Sequence, residues 1–204
     1  MPSSGLRRRC RVTTNIILAG VGGQGLVLMT RILSEAALLD GHDVKTNDVI
    51  GLSQRGGMVW GTVRFGERIL SANIPPAEAD FIVALEPLEA LRWTHMLWPE
   101  GTIIMNSRDV YPTIVQQEQM PYPHEAIALL SQKYTVCSVD ASAEAGKAGN
   151  TRMANTFLLG MLSAGLSVSE ASWHKAIETH IRKDFTEINL RAFARGSTYE
   201  DLPF

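Results

Sequence analysis

Cysteine is nearly absent from this chain: Cys10 and Cys137 are the only two in 204 residues. Neither belongs to a C-x-x-C pair, and no histidines cluster beside them. A structural zinc site or an iron–sulfur cluster takes about four suitable ligands close together. The chain supplies neither set, so any redox chemistry it joins is imported. Cys137, inside the strand-like "KYTVCSVDA", reads as a buried, inert core thiol. Excess charge is also missing. Nineteen Lys and Arg against 21 Asp and Glu leave a formal net charge of -2, without the basic surplus that nucleic-acid binding needs. Long apolar runs are absent too. The apolar stretch after Arg7-Arg8-Arg9 is short and glycine-rich, unlike a signal h-region or a membrane span. With no repeat or low-complexity segment, a solenoid is excluded. What remains is a cytoplasmic protein with a flexible tail over residues 1–14 and one domain over 15–204.

What is present is an alternation of strands and helices. Asn15–Ala19 is a strand that runs into "GVGGQG", and Leu26–Leu39 is a helix apolar on most faces, as expected of one packed on a sheet. Gly41 stands where that helix stops. "HDVKTN" is a second strand, and "MVWGTVRFGERILSAN" alternates about Gly66-Glu67-Arg68 as a β-hairpin does. "ADFIVALEP" and "GTIIMNS" are short strands separated by the helical "LEALRWTHML". Strands alternating with helices imply a parallel sheet. Tyr111–Tyr122 is polar, proline-bounded and irregular. Pro123–Gln132 is a further helix, "YTVCSVDA" the next strand, and the rest is helical, with Ser167-x-x-Glu170 as a capping box and Trp173, Ile177 and Ile181 on one face. The fold class is therefore α/β: a Rossmann-like, mostly parallel sheet flanked by helices, with a β-hairpin insertion and a helical C-terminal part.

Gly20, Gly22 and Gly25, with Gly23 and Gln24 between them, satisfy G-x-G-x-x-G directly after a strand and at the opening of a helix. There the missing side chains let a pyrophosphate approach the backbone, and the helix N-terminus favours an anion. The alternative is a tight strand-to-helix turn and nothing more. A nicotinamide reading further requires an acid at the end of the second strand, for which Asp43 and Asp48 are the candidates. It also requires a hydride-transfer constellation, which the scattered His42, His95, His124, His174 and His180 do not form. Arg55, followed by Gly56 and Gly57, could reach the same anion with its planar fork, or pair internally with Asp48 or Glu86. Glu86 and Asn106 each follow a parallel strand, at the carboxyl edge where open α/β sheets bind ligands. The competing role for Glu86 is to cap the helix begun at Pro87. Asn150 and Asn155 are read as bonding backbone in a buried helix contact.

Taken together, "GVGGQG", "GLSQRGG", "VRFG", "EADFIVALEPLEALR" and "GNTRMANTFLLG" resemble the gamma-type subunit or domain of the 2-oxoacid:ferredoxin oxidoreductases, in particular the beta subunit of the indolepyruvate type. These enzymes oxidatively decarboxylate a 2-oxo acid with coenzyme A, giving acyl-CoA, carbon dioxide and reduced ferredoxin. The resemblance implies an accessory subunit, inactive alone. It also implies a larger partner that holds thiamine diphosphate and the 4Fe-4S clusters, and a role for this chain in helping to hold coenzyme A. The sequence departs from the resemblance at Met58-Val59-Trp60, where smaller or more polar residues are expected. A stand-alone Rossmann oxidoreductase and a non-catalytic scaffold are the other readings.

Overall fold

The computed structural model describes residues 13–48, 57–110 and 121–204. β1 (Thr13–Val21), β2 (Asp43–Asp48), β3 (Met58–Gly66), β4 (Ala79–Ala84), β5 (Leu97–Asn106) and β6 (Thr135–Val139) form one sheet in the order β2-β3-β1-β4-β5-β6. β1, β4, β5 and β6 are parallel neighbours, and β3 alone runs against the rest, antiparallel to both β1 and β2. Around the sheet lie α1 (Leu26–Leu39), α2 (Pro87–Trp93), α3 (His124–Ala128), α4 (Leu130–Lys133), α5 (Ala141–Lys147), α6 (Ala154–Ser163), α7 (Glu170–His180) and α8 (Lys183–Ser197).

The pleat divides the apolar residues of the strands between two faces. Ile16 and Leu18 of β1, with Val63 and Ile104, pack under α1, α6 and α7 through Ile32, Phe157 and Trp173. Ile17, Ile82 and Ile103 face the other way, toward Ala90 of α2 and Leu130 of α4. The second layer is thinner because its helices are short. Trp173, Ile177 and Ile181 do share a buried face. Cys137 is buried as well; its thiol donates to the Asp201 carbonyl at 3.4 Å, and burial pushes its pKa up, which suits an inert core residue.

Three expectations are corrected. The second limb of the hairpin is not a strand: after β3, the chain crosses the thin face as an irregular strap. The Thr62 hydroxyl donates to the Ala72 carbonyl at 2.9 Å, and the Arg64 guanidinium donates to those of Ser71 and Asn73 at 3.0 and 2.6 Å. Side chains take the bonds that a partner strand would have taken, and β3 instead inserts between β2 and β1. β1 starts earlier than the expected Asn15, because Thr13 and Thr14 already pair with Gly66 and Phe65. The capping residue of α7 is Ser169, not Ser167.

Tertiary contact explains the shifted cap. α1 ends at Gly41, whose φ of 88° suits glycine, with Gly41 N–H bonded to Leu38 and His42 N–H to Ala37. That turn delivers the Asp40 carboxylate to the start of α7, where it accepts from the Ser169 amide at 3.2 Å, the Ser169 hydroxyl at 2.5 Å and the Ser172 hydroxyl at 2.9 Å. The Ser169 hydroxyl bond is the chief reason the Asp40 carboxyl sits below its ordinary value of 3.8. A depressed acid stabilises the fold above its unfolded pKa and loses that contribution as pH falls through the folded one. Asp40→Asn should therefore melt below wild type at pH 7, with the gap closing below pH 3.8. A gap that persists in acid would show that the charge is irrelevant.

Candidate functional site

The site is built at the carboxyl edge of the sheet, where β1 ends. Gly20 and Val21 still belong to the strand, and the turn runs from Gly22 to Gly25, which starts α1. Gly25 has φ 84°, a conformation costly for any residue with a Cβ, and a Cβ there would lie 2.5 Å from the Asn155 amide nitrogen. The Gly22 N–H donates to the Gly57 carbonyl at 2.7 Å. That bond joins the two glycine motifs: the start of β3 is held against the loop that ends β1. Arg55 and Gly56 lie outside the described residues; Gly57 is the part of the second motif that the structure places.

The polar side chains expected here do converge, but most are engaged with backbone. Gln24 folds back into its own loop, where its oxygen accepts from Val21 N–H at 2.7 Å and its amide donates to the Leu85 carbonyl at 3.1 Å. Asn106 donates to the same carbonyl at 3.3 Å and accepts from Ala141 N–H at 3.0 Å. Leu85 O thus ties the ends of β1, β4 and β5 together. Gly20 is small for the same reason, since a Cβ there would stand 2.8 Å from the Gln24 oxygen. Gln24 and Asn106 therefore set the floor of the edge through bonds to backbone. Among the described residues, no hydrogen bond engages the N–H groups of Gly23, Gly25, Leu26 or Val27, and the first turn of α1 carries no acid. Those donors suit an oxyanion.

Glu86 caps α2, as the competing reading had it. It is fully buried, and its Oε2 accepts from Glu89 N–H at 3.1 Å. The Tyr122 hydroxyl donates to its other oxygen, and the amides of Leu88 and Val110 also support it. This carboxylate thus ties Val110, at the end of one described segment, to Tyr122, near the start of the next. Burial pushes the Glu86 pKa up, and burial with the nearby Glu86 charge pushes Tyr122 up, keeping the phenol a donor. Glu89, fully buried beside it, is also raised by burial and is offset by Arg92 at 3.2 Å. Glu89 and Arg92 lie within "EADFIVALEPLEALR" but were given no role there, and Tyr122 had no motif to announce it. The one sequence signal was an aromatic residue set between Pro121 and Pro123.

Asn155 and Asn150 divide. Asn155 is buried and donates to the Gly25 carbonyl at 3.5 Å, whereas Asn150 caps a short turn near the surface by accepting from Arg152 N–H at 3.0 Å. Only the first is the buried helix contact expected of both. The acids of the nicotinamide reading are misplaced. Asp43 pairs with Gly66, which pairs with Thr13, so it lies level with the start of β1, roughly 26 Å of strand from the loop. Asp48 is level with Leu18 across the intervening β3. Met58-Val59-Trp60 opens β3, with Val59 in the core and Trp60 against Trp93 at 4.5 Å on the opposite face. Packing accounts for Val59 and Trp60; nothing in the structure explains Met58, which is exposed.

Comparison with known proteins places this geometry. The family model of pyruvate ferredoxin/flavodoxin oxidoreductase matches residues 15–199. Among similar proteins is the indolepyruvate oxidoreductase subunit IorB of Thermococcus kodakarensis, 35% identical, with the alignment covering 89% of this chain and 93% of that one. The subunit of the same name from Archaeoglobus fulgidus is 36% identical, over 89% and 92% of the two chains. The crystal structure of the gamma subunit of a keto/oxoacid ferredoxin oxidoreductase from Geobacter sulfurreducens superposes with TM-score 0.69 at 24% identity, over 90% of this chain and 94% of that one. Among the described residues, no helix is long and apolar enough to cross a membrane.

Proposed function

The chain belongs to the pyruvate ferredoxin/flavodoxin oxidoreductase family, and from that premise we propose that it is the accessory subunit of a thiamine-diphosphate and iron–sulfur dependent 2-oxoacid:ferredoxin oxidoreductase of the indolepyruvate type. In that complex a 2-oxo acid is decarboxylated oxidatively and coenzyme A accepts the acyl group as a thioester. The observation that carries the substrate class is the identity with IorB subunits over nearly their whole length. The part assigned to this chain is to complete the assembly and help hold coenzyme A. The Gly22–Gly57 bond supports that part, because it holds Gly57, the last residue of the second motif, beside a loop in which the N–H groups of Gly23, Gly25, Leu26 and Val27 are unengaged among the described residues.

The donor sets agree with such a division. Two cysteines, one of them buried against Asp201, do not fit a 4Fe-4S cluster, and this supports assigning the clusters to the larger partner, where the family resemblance also puts thiamine diphosphate. The loop amides of Gly23, Gly25, Leu26 and Val27 do fit a phosphate of coenzyme A; Arg55, outside the described residues, is assigned to the same anion from the sequence alone. A stand-alone nicotinamide enzyme is disfavoured because neither Asp43 nor Asp48 stands at the loop.

The test compares the purified chain, its complex with the larger subunit, and two variants in that complex. The chain alone is expected to give no 2-oxo-acid-dependent dye reduction, and the partner to restore it. Gly22→Val puts a branched side chain where the phosphate would approach and should raise the KM for coenzyme A. Arg55→Ala removes a charge-assisted bond worth ~1.5–3 kcal/mol, a loss of roughly 10- to 150-fold in affinity, which lysine should recover only in part. Turnover by the chain alone, or a coenzyme A response untouched in both variants, would overturn the assignment.

A further inference from the structure

One hydrogen bond joins the glycine loop to the helical layer among the described residues, and it comes from Asn155 on the first turn of α6. Its amide nitrogen donates to the Gly25 carbonyl at 3.5 Å and sits 2.5 Å from where a Cβ of Gly25 would be. The other end of the side chain is fixed. Its oxygen accepts from Thr156 N–H at 2.9 Å; the Thr156 hydroxyl donates to Asn189 Oδ1 at 2.6 Å; and the Asn189 amide donates to the Phe185 carbonyl at 2.8 Å. All three side chains are buried, at 7%, 1% and 4% exposure for Asn155, Thr156 and Asn189. A run of uncharged polar groups with partners along its length, in a well-packed layer, is a rigid strut.

Stability alone does not explain where the strut ends. The Gly25 carbonyl already accepts from Met29 N–H at 3.1 Å and needs no second donor. Carbonyl and amide of one trans peptide point in opposite directions. Holding Gly25 O toward Asn155 therefore turns the Leu26 N–H outward, among the unengaged donors of the loop.

We infer that Asn155 is a positioning residue for anion binding at the glycine loop, setting the Gly25–Leu26 peptide through a relay of Thr156 and Asn189 into α8. The inference rests on the reading of the loop as a phosphate site for coenzyme A. The relay contains no ionisable group, so the loop is held alike at acid and neutral pH.

The test uses the complex of this chain with its larger partner, with indolepyruvate and coenzyme A as substrates. Asn155→Asp keeps the volume and the Thr156 acceptor but loses the donor. It should raise the KM for coenzyme A roughly 2- to 13-fold, the range of one hydrogen bond, while the KM for the oxo acid stays put. Thr156→Val releases the relay behind an intact Asn155 and should give a smaller rise of the same selectivity. A lower melting temperature with both KM values unchanged, or a common rise in both, would overturn the inference. Gly22→Val, measured alongside, separates the two levels. If it leaves the coenzyme A KM unmoved, the phosphate reading itself fails; if it raises that KM and the Asn155 and Thr156 variants do not, only the positioning role fails.

Discussion

Replacing Gly196 by alanine is expected to destabilise the isolated chain by about 3 kcal/mol, among the largest effects of any single methyl group in this fold. α6 and α8 cross on two glycines, each set on the backbone of the other helix. A Cβ at Gly196 would lie 2.0 Å from the Phe157 carbonyl oxygen, and one at Gly160 would lie 2.1 Å from that of Phe193. Backbone cannot swing aside as a side chain does, so the helices must part and Phe157 and Phe193 lose packing with them. Against this stands the higher helix propensity of alanine, worth about 1 kcal/mol. The clash wins. Gly146 of α5 is the control: the nearest atom to a Cβ there is the Thr151 methyl at 3.2 Å, so Gly146→Ala should be neutral or mildly stabilising. Combining Gly160→Ala with Gly196→Ala should cost less than the sum, because helices already separated by one methyl have room for the other. Denaturant unfolding of wild type, the three single variants and the double variant decides it; a Gly196→Ala chain as stable as wild type would mean that the helices do not touch.

Glu86→Ala should lower stability by roughly 2–4 kcal/mol at pH 7, through loss of a helix cap and stranding of the buried Tyr122 hydroxyl. Glu86→Gln removes the charge but keeps a single acceptor oxygen, so it retains the cap or the Tyr122 bond and not both, and should lose less stability than alanine. The pH dependence follows from burial, which raises Glu86 and Glu89 above their ordinary 4.5. An acid raised in the folded state contributes fully below its unfolded pKa and loses that contribution as pH rises through the folded value. Wild type should therefore gain stability as pH falls from 7 toward the ordinary carboxylate range. Below it, Asp40, Asp43 and Glu144, all lowered by their hydrogen bonds, reverse the trend. Glu86→Gln should flatten the gain. Equal slopes for wild type and Gln, or an Ala variant that unfolds like wild type, would count against a buried charge at this cap.

The strand–loop–helix unit was legible because local chemistry determines it. Leu26–Leu39 is bounded by glycines on both sides, and α1 has those limits. Where boundaries moved, something distant had intervened. Ser167 fits the spacing of a capping box, but Asp40 arrives from the end of α1 and makes Ser169 the cap. The alternation in "ERILSAN" resembles a strand, yet Thr62 and Arg64 take its carbonyls by side chain. β5 begins at Leu97, ahead of the expected Gly101, and α2 ends at Trp93 with a 3-10 turn from Thr94 to Met96 between them.

The site was half legible. Its location followed from the glycine spacing, and Gln24, Glu86 and Asn106 do gather there. Their employment was hidden, because residue type does not reveal whether an amide is already spent on a carbonyl such as Leu85 O. Asn155 shows the reverse. A buried bond to backbone was expected of it; that the backbone is the loop's, 130 residues earlier in the chain, was not.

The reversed strand also dictates an order of assembly. Among the described residues, β2 pairs with no strand but β3, and β3 alone joins it to β1. The edge therefore cannot be laid down one parallel strand at a time, as the β4–β5–β6 side can. Either β3 docks on β1 first and β2 follows, or β2 and β3 pair locally and arrive as a ribbon. In both routes the register of nine residue pairs between β1 and β3 is fixed no later than the edge itself, and the Gly22–Gly57 joint becomes available with it. A chain that misfolds at β3 loses both the edge of its sheet and the second half of its glycine site in one event.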